Sequence, residues 1–157
     1  MIKFFVTLFY SGLSPKASGT IGSIAAIPIA ILLLYFIPIE TFWLLIFLVF
    51  IAGAKAADIY MRKTAREDPK EVVIDELVGM WIAIAILPDF FNPIQIALAF
   101  IFFRVFDIKK PSVIGKIDAK LKNGYGVMLD DVLAGFFGGL AAALCVKIYE
   151  LGGSLWN

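Results

Sequence analysis

The chain has 157 residues, of which 61% are hydrophobic and 17% are charged, and its mean hydropathy is +0.92. Soluble domains are typically about 45 to 50% apolar and about 25% charged, so this composition excludes an ordinary soluble domain and indicates a membrane protein. The net charge of +1, from 14 basic and 13 acidic residues, leaves no basic excess of the kind that nucleic-acid binding requires.

The chain contains no histidine and a single cysteine. Without an imidazole, the histidine phosphatases, histidine-based lipid phosphatases and Ser-His-Asp hydrolases are excluded. Cys145 lies in an apolar stretch, which favours a packing role over a reactive thiolate. Any chemistry must therefore depend on carboxylates.

The apolar runs predict an all-α, polytopic membrane bundle of about five spanning helices, forming one domain over residues 1–157. Residues 1–20, which include the aromatic segment around Phe4 and Phe9, are predicted to be an interfacial segment and loop rather than a cleaved signal peptide. The predicted spans lie near residues 21–37, 41–57, 72–88, 93–108 and 128–150.

Helix boundary signals separate these spans. The sequence after the second span contains no helix breaker before Pro69, so that helix is predicted to continue beyond the lipid. Asp68 and Pro69 resemble an N-cap followed by proline at the first helical position, which predicts a third helix starting at Pro69. Asn92 and Pro93 predict the start of the fourth helix in the same way. A polar linker at 111–126 then precedes the last helix, expected from about residue 127 to 151.

Basic residues follow the second and fourth spans, whereas the turns at 38–40 and 88–93 contain only acidic charges. The positive-inside rule therefore places both basic loops and the N-terminus in the cytoplasm. Five spans would leave the C-terminus outside.

Two acidic pairs occur near the predicted starts of the third and fifth helices: Asp75 with Glu76, and Asp130 with Asp131. The helix macrodipole favours an acid at such a position by about 0.3 to 1 kcal/mol. This explains one acid on each helix but not two, and ionisable residues are costly in a membrane segment. The pairs are therefore candidates for a functional site.

Glycines follow both acidic pairs, at Gly79 and Gly135, and Gly139 completes a G-x-x-x-G pattern. Small residues allow helices to approach closely, so the third and fifth helices are predicted to pack together and bring their acids to one depth. Four converging carboxylates would repel one another unless a hard cation lay between them, and oxygen ligands are what Mg²⁺ prefers. A structural role or a proton relay is the alternative to this metal-site hypothesis.

Candidate anion-binding groups accompany the acids. Arg104, Asp107 and Lys110 recur on one side of the fourth helix near its end. The loop that leads into the first span places Thr20 and Ser23 at a helix N-terminus, where backbone N–H groups bind phosphate. Snorkelling of the basic side chains to the headgroups is the alternative. Together these groups suggest phosphate-ester chemistry on a lipid at the inner surface.

Four sequence blocks are spread over most of the chain: SGLSPKASGTIGSIAAIP (11–28), VIDELVGMWIA (73–83), FRVFDIKKPSVI (103–114) and GYGVMLDDVLAG (124–135). In this order they resemble the bacterial phosphatidylglycerophosphatase A family. The resemblance implies a Mg²⁺-dependent multi-pass phosphatase of the bacterial cytoplasmic (inner) membrane, with its site at the cytoplasmic face. Its substrate would be phosphatidylglycerophosphate, and its products phosphatidylglycerol and inorganic phosphate.

The resemblance also implies residue roles. The D-E-x-x-G and D-D-x-x-A-G acids are the expected metal and catalytic groups, with Glu76 or Asp131 as general base, and an aspartyl-phosphate intermediate remains an alternative. The metal set would be Asp75, Glu76, Asp130 and Asp131, and the catalytic set Glu76, Asp130 and Asp131. The residues themselves, rather than the resemblance, predict the phosphate-binding set, which is Thr20, Ser23, Arg104, Lys110 and Lys16, with Asp107 in support.

This chain departs from the family pattern at Ser18, where the family often has proline, and in the charged loop 62–72, which matches no family block. The competing interpretations are a cation-binding transporter or channel subunit, a phosphatidyl-transferring enzyme and a structural membrane subunit. The motif D-G-x-x-A-R expected of the transferase is missing from the sequence.

Overall fold

The computed structural model describes residues 1–66, 69–110 and 123–154, with side chains up to residue 152. Its regular elements are all helical within these ranges, which confirms the predicted all-α class. They are α1 (Ile2–Val6), a 3₁₀ turn (Ser11–Leu13), α2 (Ser18–Phe36), α3 (Ile39–Thr64), α4 (Ile74–Ala85), α5 (Pro93–Lys109) and α6 (Gly124–Ser154).

Helix α4 lies at the centre of the bundle. Ten of its twelve residues are buried, and α2, α3, α5 and α6 all pack against it. A helix that is apolar nearly all round lies in a protein core or in a membrane, and the burial of α4 shows that neighbouring helices cover it. The two acids in its first turn are therefore held on the most enclosed element of the fold.

Within the described ranges, three helices are long and apolar enough to cross a membrane: α2, α3 and residues 124–152 of α6. The twelve residues of α4 rise only about 18 Å, less than the roughly 30 Å of a bilayer's hydrocarbon core. The helices support membrane association, and the count of five spans stays a prediction.

The predicted helix start at Pro69 was wrong, since α4 begins at Ile74. The N–H of Val73 donates to the carbonyl oxygen of Val6 at 2.9 Å, a long-range bond that holds the backbone outside the helix at this point. The N–H of Val72 closes a turn onto the carbonyl of Pro69 at 2.8 Å.

Glu71, in the segment that precedes α4, makes tertiary contacts. Its carboxylate accepts from the hydroxyl of Tyr60 at 3.2 Å and pairs with Arg66 at 3.3 Å. These bonds connect the end of α3 to the segment before α4. The other residue of the predicted start, Asp68, lies outside the described residues.

Two other boundaries follow the sequence signals. The side chain of Asn92 accepts from the N–H of Ile94 at 2.9 Å and of Gln95 at 3.4 Å, so it caps α5 as predicted. Helix α3 continues to Thr64, as the unbroken sequence before Pro69 predicted.

The N-terminal segment is anchored by residues that point inward and exposes its aromatic rings. Val6 and Thr7 are fully buried, whereas Phe9 and Tyr10 are 64% and 53% exposed. The ring of Phe4 packs edge-on against both, with centroids 4.9 and 5.4 Å away. An amphipathic arrangement of this kind suits the membrane interface, where the segment's placement stays a prediction.

Candidate active site

The N-termini of α2, α4 and α6 lie at the same end of the bundle. Helices α4 and α6 run in parallel, because Gly135 contacts Gly79 and, one turn later, Gly139 contacts Ala83. The start of α2 joins them, since Gly19 lies against the side chain of Glu76. The positive dipole ends of α2 and α4 therefore lie beside Asp75 and Glu76, which favours negative charge there, whereas Asp130 and Asp131 lie about two turns inside α6.

The predicted close packing of α4 on α6 is confirmed at Gly79 and Gly135. A Cβ on Gly135 would overlap the carbonyl oxygen of Gly79 and would lie 2.9 Å from its Cα. A Cβ on Gly79 would lie 2.7 Å from the carbonyl oxygen of Asp131. Backbone contact at this point sets the depth at which the two acidic pairs meet.

Carboxylate oxygens of Asp75, Glu76 and Asp131 lie within 4.8 Å of one another. Asp75 and Asp131 are 8% and 3% exposed. One oxygen on Glu76 and one on Asp131 are buried without a hydrogen-bond donor. Buried carboxylates this close repel unless a cation lies between them, so an oxygen-only set with two unpartnered atoms fits a hard divalent cation.

The two acidic pairs share a local geometry. The Oδ1 atoms of Asp75 and Asp130 accept from the N–H of the next acid, at 3.0 and 3.1 Å respectively. Asp130 then differs, because its Oδ2 forms an ion pair with Lys110 at 2.5 Å. The structure thus brings three of the four predicted metal ligands together and pairs Asp130 with α5, so its place among the metal ligands stays a prediction.

Arg104 extends from α5 toward the start of α2. Its guanidinium pairs with Asp107 at 2.5 Å and donates to the hydroxyl of Ser23 at 3.4 Å. The Ser23 hydroxyl in turn donates to the carbonyl of Gly19 at 2.7 Å. Since the Nε of Arg104 is buried without an acceptor, this side chain retains a donor for a further anion.

Sequence reasoning treated Gly19 only as part of a loop that could bind phosphate, and it missed a steric role. A Cβ at this position would collide with Oε1 of Glu76 and would lie 3.2 and 3.3 Å from the two terminal nitrogens of Arg104. Glycine therefore allows the start of α2 to cover both the acid cluster and the arginine. The Ser-Gly-Thr motif marks the position, but only the packed structure shows its neighbours.

The remaining predicted phosphate ligands lie nearby along the chain. Thr20 is half-buried in the first turn of α2, next to Gly19. Lys16 is exposed in the preceding loop, where its carbonyl accepts from the hydroxyl of Ser14 at 2.9 Å. Their contacts with phosphate stay predictions.

A family model described as phosphatidylglycerophosphatase A matches residues 4–147. The chain belongs to this family. Among the relatives, the phosphatidylglycerophosphatase A of Escherichia coli K12 is 38% identical over 128 residues, covering 81% of this chain and 73% of that protein. The phosphatidylglycerophosphatase A of Haemophilus influenzae Rd is 37% identical over 129 residues, or 82% of this chain and 78% of that protein.

A third family relative bears a different name. It is the Bacteroides thetaiotaomicron protein named "Putative phosphatidylinositol-3-phosphatase", 41% identical over 136 residues, which cover 83% of this chain and 84% of that protein. No solved structure matches the chain.

Proposed function

We propose that this protein hydrolyses the terminal phosphomonoester of phosphatidylglycerophosphate with Mg²⁺, at the cytoplasmic face of the bacterial inner membrane. The observation that carries the proposal is the meeting of Asp75, Glu76 and Asp131 within 4.8 Å, beside Arg104. The relatives named phosphatidylglycerophosphatase A support the choice of substrate.

The acid cluster is the part of the site that would hold the metal. When bound there, Mg²⁺ would neutralise phosphate charge and lower the pKa of a water molecule. Asp75 is positioned as a ligand by the bond from the N–H of Glu76. Glu76 and Asp131 each have a carboxylate oxygen without a protein donor, so either can take the proton from the attacking water while the other coordinates.

Arg104 and the start of α2 bind and orient the phosphoryl group. Phosphoryl transfer depends mainly on positioning and charge stabilisation, and Arg104 lies 15% exposed between Asp107 and Ser23. Asp107 and the oxygen of Ser23 fix the guanidinium, while the N–H groups that begin α2 supply further donors. Water attacks phosphorus, the bond to the glycerol oxygen breaks, and the leaving oxygen takes up a proton.

The ion pair between Lys110 and Asp130 completes the proposed site. Asp130 holds the ammonium group at the end of α5, close to the helix that provides Asp131. Lys110 would bind an oxygen of the substrate headgroup, and Lys16 would contact its second phosphate. Asp130 would thus act on the reaction through Lys110, in addition to any coordination of the metal.

The experiment is phosphate release by the purified protein in mixed micelles, with Mg²⁺ and with excess chelator. Phosphatidylglycerophosphate is compared with phosphatidylinositol 3-phosphate, phosphatidic acid and a soluble phosphomonoester. We expect Mg²⁺-dependent turnover with the highest kcat/KM on phosphatidylglycerophosphate. A higher kcat/KM on phosphatidylinositol 3-phosphate would contradict the proposed substrate and would favour the activity named for the Bacteroides relative. Turnover that excess chelator does not reduce would contradict the metal assignment.

A further inference from the structure

An apolar groove lies between α2 and α3, and most of its lining comes from the N-terminal segment and α4. Although these helices are consecutive, they contact each other far less than each contacts α4. The space between them contains a cavity of about 160 Å³, and its nine lining residues are all apolar. They include Phe5 and Phe9 of the N-terminal segment, Ile29 of α2, Val49 of α3, and Leu77 and Trp81 of α4.

The position of the groove indicates what fills it. Both helices that border it are long and apolar enough to cross the membrane, so hydrocarbon rather than water is the expected surrounding of the groove. An apolar cavity of about 150 Å³ excludes water and accepts an apolar molecule. The fitting occupant is a segment of a lipid acyl chain.

The groove and the acid cluster share the first turn of α4. Ile74 and Leu77 line the groove, and Asp75 and Glu76 stand between them in the sequence on other faces of the helix. Because three residues of helix rise only about 4.5 Å, the groove and the carboxylates lie at nearly the same depth. The start of α2 separates the two, with Gly19 against Glu76.

We propose that this groove binds one acyl chain of the diacyl substrate, while the headgroup crosses the start of α2 to reach Arg104 and the acid cluster. The inference rests on the proposed function and adds the lipid-chain subsite to it. The aromatic residues Phe5 and Phe9 then form a wall of the groove in addition to lying at the interface.

Val49 and Leu48 supply a matched pair of variants. Val49 is half-buried and lines the groove, whereas the neighbouring Leu48 is 54% exposed on another face of α3. Val49→Phe fills the groove, and Leu48→Phe makes a similar change outside it. A methylene group in an apolar pocket is worth about tenfold in discrimination, so filling the groove should penalise a long-chain substrate.

The kinetic test compares dioleoyl and dibutanoyl phosphatidylglycerophosphate. For Val49→Phe we expect the long-chain to short-chain ratio of kcat/KM to fall about tenfold, whereas Leu48→Phe keeps the wild-type ratio. If Val49→Phe keeps the wild-type ratio of kcat/KM, even with an equal loss of activity on both substrates, the proposal that the groove binds an acyl chain is wrong. If the wild-type protein hydrolyses neither substrate, the proposed function is wrong, and the binding test below decides whether the groove holds an acyl chain.

The binding test needs no turnover. Trp43 and Trp156 are replaced by phenylalanine, so that Trp81 in the groove wall is the remaining tryptophan, and phosphatidylglycerol with brominated acyl chains is added in micelles. We expect quenching of Trp81 fluorescence that Val49→Phe reduces and Leu48→Phe does not. Equal quenching in the two variants would overturn the proposal, whatever the activity of the protein.

Discussion

The carbonyl oxygen of Gly79 lies directly against Gly135, so close that a Cβ on Gly135 would overlap it. This backbone contact between α4 and α6 fixes the depth at which Asp75 and Glu76 meet Asp131. The geometry of the acid cluster therefore depends on two residues that carry no side chain.

Gly135→Ala should both destabilise the protein and separate the acids. Forcing extra atoms into a packed contact typically costs about 1 to 3 kcal/mol, and here the opposing atoms are backbone that cannot rotate away. Thermal unfolding in detergent and phosphate release measure the two effects. Gly152→Ala on the same helix is the control, because nothing lies within 4 Å of a Cβ there, and equal behaviour of the two variants would contradict the packing argument.

Gly19→Ala should reduce turnover more than stability. The added methyl group collides with Glu76 and crowds Arg104, yet the first turn of α2 can shift outward because it lies at a helix end. We expect a lower kcat with a melting temperature close to that of the wild type. Wild-type kcat in this variant would show that the start of α2 does not cover the reacting groups.

Arg104→Lys should lower kcat/KM by about 10²-fold, the usual loss when one preorganised donor to a developing charge is removed. A lysine keeps the charge but cannot reach Asp107 and Ser23 together as the guanidinium does. Arg62→Lys, in an exposed pair with Asp58, is the matched control and should retain full activity. Retention of activity in Arg104→Lys would indicate that charge alone is sufficient.

A comparison of Asp130→Asn with Asp131→Asn should distinguish the loss of metal binding from the loss of Lys110 positioning. Asp131 belongs to the three-acid cluster, so its amide variant should lose the thermal stabilisation that we expect Mg²⁺ to give to the wild type. Asp130 pairs with Lys110, and Asp130→Asn should keep that stabilisation while KM rises. Loss of Mg²⁺ stabilisation in both variants would instead place Asp130 among the metal ligands.

Much of the fold was predictable because it depends on local signals. Apolar runs predicted the helices, Asn92 marked the start of α5, and the spacing of Gly79 and Gly135 predicted the contact between α4 and α6. Each of these inferences requires only residues close together in the sequence or one packing rule.

The parts of the fold and of the site that were not predictable depend on contacts between residues far apart in the sequence. The late start of α4 follows from the bond between Val73 and Val6, which no local pattern indicates. The repeat of the acidic pairs predicted equivalent roles, but Asp130 forms an ion pair with Lys110 at the end of α5. The approach of Gly19 to Glu76 likewise exists only once α2 has packed on α4.

The central claim is that Asp75, Glu76 and Asp131 together hold the metal for phosphate-ester hydrolysis. The most direct measurement is phosphate release from phosphatidylglycerophosphate with Mg²⁺ by the wild type, Glu76→Gln and Asp131→Asn. Glu150→Gln, an exposed acid near the other end of α6, is the control. We predict wild-type turnover in the control and no release above the protein-free background in the two cluster variants; near-normal release by both would contradict the account.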